Sequence, residues 1–236
     1  MTAFESARIS NRRPFSPIRA FARFTVLTLF CICASVAQHG ARQGVWLRDA
    51  PAKPDAKAKY LFYLHGRIVE EQGTHAVSPE FGAYEYEKIV QTFVEEGFVV
   101  ISEPRPRGTD VREYAGKVAK EVNALLAAGV PPQHVTVVGA SKGGGIAAAT
   151  STLLRNRDVN FVLIAACGDK SMHGRILSIW DYKDATGAAT CERHFGGVPG
   201  IKEHKEVELK LGLGHGLLYR PLPQWVDLVV DWANLH

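Results

Sequence analysis

Ser141, the carboxylates Asp181 and Asp184, and His215 are the residues whose types and order could do chemistry together. A serine hydroxyl is a poor nucleophile at neutral pH and needs an adjacent base. A histidine can supply that base, and a carboxylate can orient its imidazole and stabilise the protonated form. Ser141 stands in Gly139-Ala140-Ser141-Lys142-Gly143, a G-x-S-x-G pattern. The β-branched run Val135-Thr136-Val137-Val138 enters it, and the small residues Gly144-Gly145-Ile146-Ala147-Ala148-Ala149 leave it. That arrangement predicts a strand, a tight turn and a helix. A serine at the apex of such a turn projects its hydroxyl away from the sheet. Its flanks must be nearly free of side chains to clear the neighbouring strand and helix. The first N–H groups of the helix can also stabilise negative charge.

The same glycines admit a second chemistry. Gly139, Gly143 and Gly145 are spaced G-x-x-x-G-x-G, as in the dinucleotide-binding turn of short-chain dehydrogenases. The surroundings argue against it. Such a turn should open the first strand–helix–strand unit, yet several strands precede it here. The one Tyr-x-x-x-Lys pair in the body, Tyr84 and Lys88, comes before the glycines instead of after them. No strand ends in a carboxylate about 20 residues further on, where a ribose would be held.

The elements that must position these residues read as alternating strands and helices. A first edge strand is expected near Gln43–Asp49, then a central strand over Tyr60–Leu64, apolar throughout as both-face burial requires. Residues 69–80 read as polar loop and 81–96 as a helix, with Tyr84, Ile89, Phe93 and Val94 on one face. Further strands are expected at Phe98–Ser102, Val135–Val138, Phe161–Ala166, Arg175–Trp180 and Glu206–Leu211. Thr109 or Asp110 can cap a helix running to Ala128, another should run from the Ser141 turn to Arg155, and a last one covers Trp225–Trp232. Residues 185–202 read as glycine-rich loop. The alternation predicts an α/β fold in three layers, a mostly parallel sheet with helices on both faces. In such sheets ligands bind at the C-terminal ends of the strands. His65-Gly66-Arg67, Glu103 with Arg105, Ser141, Cys167, Asp181 with Asp184, and His215 all fall there.

From Tyr60 to Trp232 the chain resembles a small α/β-hydrolase of the esterase and lipase superfamily. The resemblance is carried by Leu64-His65-Gly66, the Ser141 elbow, Asp184 and Gly214-His215-Gly216, in the order Ser, Asp, His that this fold uses. It implies that Ser141 is the nucleophile of a carboxylesterase-like serine hydrolase and His215 its base, with a peptidase or amidase using the same triad, or a non-catalytic binding protein on the same scaffold, as the alternatives. His194 and His204 lie in polar stretches without flanking glycines. The acid is expected three residues after a glycine that ends its strand. Asp184 holds the acid's place, but Asp181 stands where that glycine should be and remains a competitor. The resemblance places the oxyanion hole at the backbone N–H groups of Lys142 and Arg67. His65, Gly66, Glu103 and Arg105 are expected around the entrance, the charged ones as a solvated rim. Only Cys167–Gly174 separates two strands, so no cap domain and an open, shallow site are expected. That favours small or polymeric esters over long acyl chains.

Composition bounds the rest. The chain has 236 residues, 46% of them hydrophobic, which suits one globular domain over residues 41–236. The net charge of +4 comes largely from the N-terminus, where Arg8, Arg12, Arg13, Arg19 and Arg23 face the single acid Glu5. The body is near balance, so composition gives no support to a nucleic-acid partner. Residues 1–40 read as an export signal: an arginine-rich start, an apolar run over Phe24–Ala34, and Ser35-Val36-Ala37 as a cleavage site. Arg12-Arg13 resembles a twin-arginine signal. The run is shorter than the ~20 residues a comfortable span needs, so a membrane contact is expected only if the segment stays as an anchor. A periplasmic or secreted protein follows. Cys31 and Cys33 fall in the signal, which leaves Cys167 and Cys191 as one disulfide or two thiols. No metal-ligand spacing is present in the mature chain, and no cofactor is expected.

Overall fold

The computed structural model describes residues 44–186 and 190–235. The proposed signal segment, with Arg12-Arg13, Cys31 and Cys33, lies outside the described residues, as does the boundary drawn at residue 40.

In chain order the elements are β1 (Val45–Leu47), β2 (Tyr60–Leu64), α1 (Arg67–Gln72), β3 (Val77–Ser78), β4 (Gly82–Ala83), α2 (Tyr86–Glu95), β5 (Val99–Ile101) and α3 (Val111–Ala127). A 3₁₀ turn over Pro132–His134 leads into β6 (Val135–Ala140) and α4 (Lys142–Leu154). Then follow β7 (Asn160–Ile164), β8 (Gly174–Asp181), α5 (Glu192–Phe195), β9 (Ile201–Leu209), a 3₁₀ helix over Gly214–Tyr219 and α6 (Pro223–Asn234). Seven strands form one sheet in the order β1-β5-β2-β6-β7-β8-β9. Every pairing in it is parallel, so the sheet is more uniform than expected.

Period-two alternation divides the core into two faces. Tyr60, Phe62 and Leu64 of β2 join Val135 and Val137 of β6 against α3 and α4. Leu61 and Tyr63 point the other way, with Val138 and Ala140, against α2 and α6. Both faces of the central strands are therefore dry, which is why these strands read as unbroken apolar runs. Asp110 caps α3, its carboxylate accepting from the N–H groups of Arg112 and Glu113 at 2.9 Å each. β9 lies at the sheet edge with a partly wet face, as its alternation indicated.

Four segments differ from the sequence reading, the first being residues 185–202, expected as loop, which hold the four-residue helix α5, too short to show a period. Residues 69–80 hold most of α1 and the first strand of the β3–β4 hairpin, elements too short to show a period. The second helix begins at Tyr86, and Phe81–Tyr84 belong to that hairpin region, so its buried face is Tyr86, Ile89, Val90 and Phe93, while Tyr84 is buried as expected but outside the helix and Val94 is only partly buried. β9 starts at Ile201, several residues before its alternation becomes visible, and includes His204, which packs against the Phe195 ring. Between β7 and β8 the chain is loop, so among the described residues no helical cap is inserted there.

Candidate active site

The site is assembled at the C-terminal ends of β2, β6, β8 and β9. Ser141 has φ 53° and ψ −116°, a backbone state that non-glycine residues rarely hold. Its N–H donates to the Ile164 carbonyl at 2.9 Å, which ties the turn to the end of β7. The flanking glycines are sterically required. A Cβ on Gly139 would lie 2.2 Å from the Gly143 carbonyl oxygen, and one on Gly143 would lie 1.9 Å from that of Leu64. Gly145 has nothing within 4 Å of such a position. The third glycine of the dinucleotide spacing therefore has no packing role, whereas both glycines of G-x-S-x-G do.

His215 bridges the serine and one carboxylate. Its Nε2 lies 2.9 Å from Ser141 Oγ, and its Nδ1 lies 2.9 Å from Asp184 Oδ2. A carboxylate can only accept, so Nδ1 carries the proton and Nε2 is free to take one from the serine. Asp184 is buried and its other oxygen accepts from the Thr186 hydroxyl at 2.5 Å and the Thr186 N–H at 3.0 Å. Burial pushes the Asp184 carboxyl up. The Thr186 and His215 hydrogen bonds outweigh it and hold the pKa below the ordinary value, so the group stays ionised. Thr186 was not singled out from sequence. Only part of the signal was there, since an Asp side chain commonly accepts from the main-chain N–H two residues on, whatever residue stands there.

Asp181 is placed differently. Its carboxylate is fully buried and accepts from the main-chain N–H groups of Lys183, Leu211, Gly212 and Gly214 at 2.9–3.0 Å. It closes loops, and Asp184 faces the histidine.

Lys142 and Arg67 are the first residues of α4 and α1, so neither main-chain N–H has an acceptor within its own helix. A Cβ built on Gly66 would lie 3.9 Å from Ser141 Cβ, so the start of α1 abuts the serine. A cavity of ≈ 300 Å³ opens here, lined by Gly66, Arg67, Tyr84, Ser141, His215 and Tyr219 among others. A larger depression of ≈ 440 Å³ lies around Lys59, Glu96 and Asn234, at the N-terminal ends of β2 and β5 and so at the opposite end of the strands from these groups.

Three residues expected at the entrance are elsewhere. His65 is fully buried: its Nδ1 pairs with the Gly66 carbonyl at 2.8 Å and its Nε2 accepts from the Arg105 N–H at 2.9 Å. Burial, and next the Arg105 guanidinium, push its pKa down to about 3. Arg105 is buried too, with Nε 2.9 Å from Glu70 Oε1 and Nη2 on the His65 carbonyl. Glu103 pairs with Arg48 and Lys117 in a separate depression. None of the three is a solvated rim residue of the site, and Gly66 and Arg67 alone of that group line the cavity. Glu70, like Thr186, was missed from sequence. Its other oxygen takes the Lys142 ammonium at 2.5 Å, which also donates to the Thr109 carbonyl at 2.6 Å. The Lys142 side chain is thus no bystander: it ties the start of α4 to α1 through a buried carboxylate. Cys167 and Cys191 are joined as a disulfide with Cα atoms 5.5 Å apart. The bridge fastens the loop after β7 to the segment between β8 and β9.

No protein-family model and no curated protein sequence matches the chain. Solved structures do. SOBER1 of Arabidopsis thaliana matches at 13% identity with a TM-score of 0.51, covering 75% of this chain and 98% of that one. The carboxylesterase CesB of Bacillus subtilis matches at 14% identity with a TM-score of 0.49, covering 80% and 86%. A predicted CIB-like hydrolase of Thermoplasma acidophilum matches at 17% identity with a TM-score of 0.47, covering 76% and 87%. With the parallel sheet order and the strand–turn–helix at Ser141, the chain has the α/β-hydrolase fold.

Proposed function

We propose that the protein is a serine hydrolase that cleaves carboxylic esters through an acyl-enzyme. The observation that carries this reading is the His215 bridge, 2.9 Å to Ser141 Oγ on one side and 2.9 Å to Asp184 on the other. In the first step His215 Nε2 takes the Ser141 proton while Oγ bonds to the ester carbonyl carbon. The carbonyl electron pair moves onto oxygen, and the N–H groups of Lys142 and Arg67 hold the oxyanion. Asp184, ionised and buried, stabilises the imidazolium. The intermediate then collapses, the bond to the alcohol oxygen breaks, and His215 gives its proton to that oxygen. Water, deprotonated by the same Nε2, attacks the acyl-enzyme. The Ser141–acyl bond breaks with the proton returned to Oγ, and the acid departs.

The open cavity, with no cap inserted between β7 and β8, supports small or polymeric esters as substrates. We also infer export. The Cys167–Cys191 bridge supports an oxidising compartment, consistent with the signal-like N-terminus. Turnover of a short p-nitrophenyl ester beside a matched anilide tests the reaction class. Ester hydrolysis that falls by ~10³-fold or more in Ser141→Ala supports the reading. Hydrolysis unchanged by that substitution contradicts it, and a preference for the anilide replaces esterase by amidase.

A further inference from the structure

Asp181 takes no part in the chemistry above, yet it is a fully buried carboxylate at the end of β8, beside the acid loop. Its Oδ1 accepts from Lys183 N–H at 3.0 Å and Gly214 N–H at 2.9 Å, and its Oδ2 accepts from the N–H groups of Leu211 and Gly212 at 3.0 Å each. The first of these donors lies in the loop that carries Asp184. The other three lie in the loop that carries His215. The Asp181 main-chain carbonyl closes the acid loop as well, accepting from Asp184 N–H at 2.8 Å. Gly212 at φ 74° and Gly214 at φ 55° turn the second loop so that successive N–H groups converge on one anion, a nest filled from within the chain. The two loops also touch directly: a Cβ on Gly214 would lie 3.0 Å from the Lys183 carbonyl oxygen.

We propose that Asp181 is a positioning residue for the histidine–acid pair, a buried anion that fixes the acid loop and the histidine loop at the spacing His215 and Asp184 need. The inference rests on the serine-hydrolase reading and adds to it. All four side-chain partners are donors, so the site calls for a group that only accepts, and an ionised carboxylate is that group. Asn keeps one acceptor and turns an NH₂ toward two N–H groups. The sequence departure at this position has the same explanation. Where a glycine would end the strand, an anion gathers the donors of both loops. Asp181 does not touch substrate, because its oxygens are saturated by main chain and shielded from solvent. It therefore acts through His215, and its effect belongs in kcat more than in KM.

The test uses Asp181→Asn and the milder Gly212→Ala in the full protein. Gly212→Ala strains the nest at its positive φ without a clash, since the nearest atom to the new Cβ is 3.7 Å away. With a short p-nitrophenyl ester, Asp181→Asn is expected to lower kcat by about 10- to 100-fold with KM within about twofold, as displacement of a catalytic group by ~1 Å does. Gly212→Ala shifts kcat in the same direction by less. In an Asp184→Asn background, Asp181→Asn should cost less than about threefold more, because the pair it positions is already broken. A purely structural residue would give additive losses. Independently of turnover, the far-downfield proton signal of His215 Nδ1–H should be sharp in the wild type and be lost or broadened in Asp181→Asn. If that variant does not fold, the same signal and kcat are read in Gly212→Ala. Folded variants that keep wild-type kcat and a sharp Nδ1 proton overturn the proposal. A wild type with no ester turnover overturns the functional reading instead and leaves the Nδ1 signal to decide the positioning claim.

Discussion

Acid should loosen this protein through His65. The imidazole is buried with both nitrogens committed to main-chain partners, and burial followed by the Arg105 guanidinium pushes its pKa down to about 3. In an unfolded chain a histidine titrates near ~6.5. Between those values unfolding takes up a proton that the native state refuses. The contribution of His65 to stability is therefore complete above about pH 6.5 and is lost as pH falls toward about 3. The slope is about 1.4 kcal/mol per pH unit, so a drop of about two pH units within that window removes roughly 2–3 kcal/mol. That is a large share of the ~5–15 kcal/mol that holds a domain together. His65→Gln supplies an acceptor and a donor near the same places but cannot titrate. Urea unfolding of both proteins at steps between about pH 7 and pH 4 gives the proton uptake from the slope of stability against pH. The variant should be weaker at neutral pH by ~1–3 kcal/mol, for imperfect hydrogen bonds, and its slope should be smaller by about one proton. Equal slopes would show that His65 is not held neutral, and the reasoning would fail.

Two further outcomes follow from buried contacts around the serine. Glu70→Gln leaves the ammonium of Lys142 and the guanidinium of Arg105 without their shared anion, so urea unfolding should show a loss of about 3–5 kcal/mol. Gly143→Ala should abolish ester turnover or folding, because its Cβ would lie 1.9 Å from the Leu64 carbonyl oxygen, whereas Gly145→Ala meets nothing within 4 Å and should raise the melting temperature at unchanged turnover. A dinucleotide-binding turn would make Gly145 intolerant as well.

The central strands were legible because burial on both faces leaves an unbroken apolar signature, and α3 because Asp110 caps a long periodic stretch. The Ser141 turn was legible because its glycines are required by contact, not by flexibility alone. What stayed hidden depended on direction or distance. Asp181 and Asp184 differ by three residues in one turn, and which of them faces His215 is set by side-chain direction that no spacing encodes. Arg105 reads as solvent-facing because charged residues are seldom fully buried without partners. Its partner Glu70 is remote in sequence and lies in α1, a helix of 6 residues that cannot display a period. Residues 81–85 look helical beside α2, but the pairing of β3 with β4, a tertiary matter, takes Gly82 and Ala83 into a hairpin.

The proposed function turns on activation of Ser141 by His215. The most direct measurement is reaction of the folded protein with a fluorophosphonate probe, followed by peptide mapping of the adduct by mass spectrometry. One adduct per chain is expected, on Ser141, lost in Ser141→Ala and strongly slowed in His215→Asn. No adduct on Ser141 in folded protein, or labelling that proceeds equally well without His215, would contradict it.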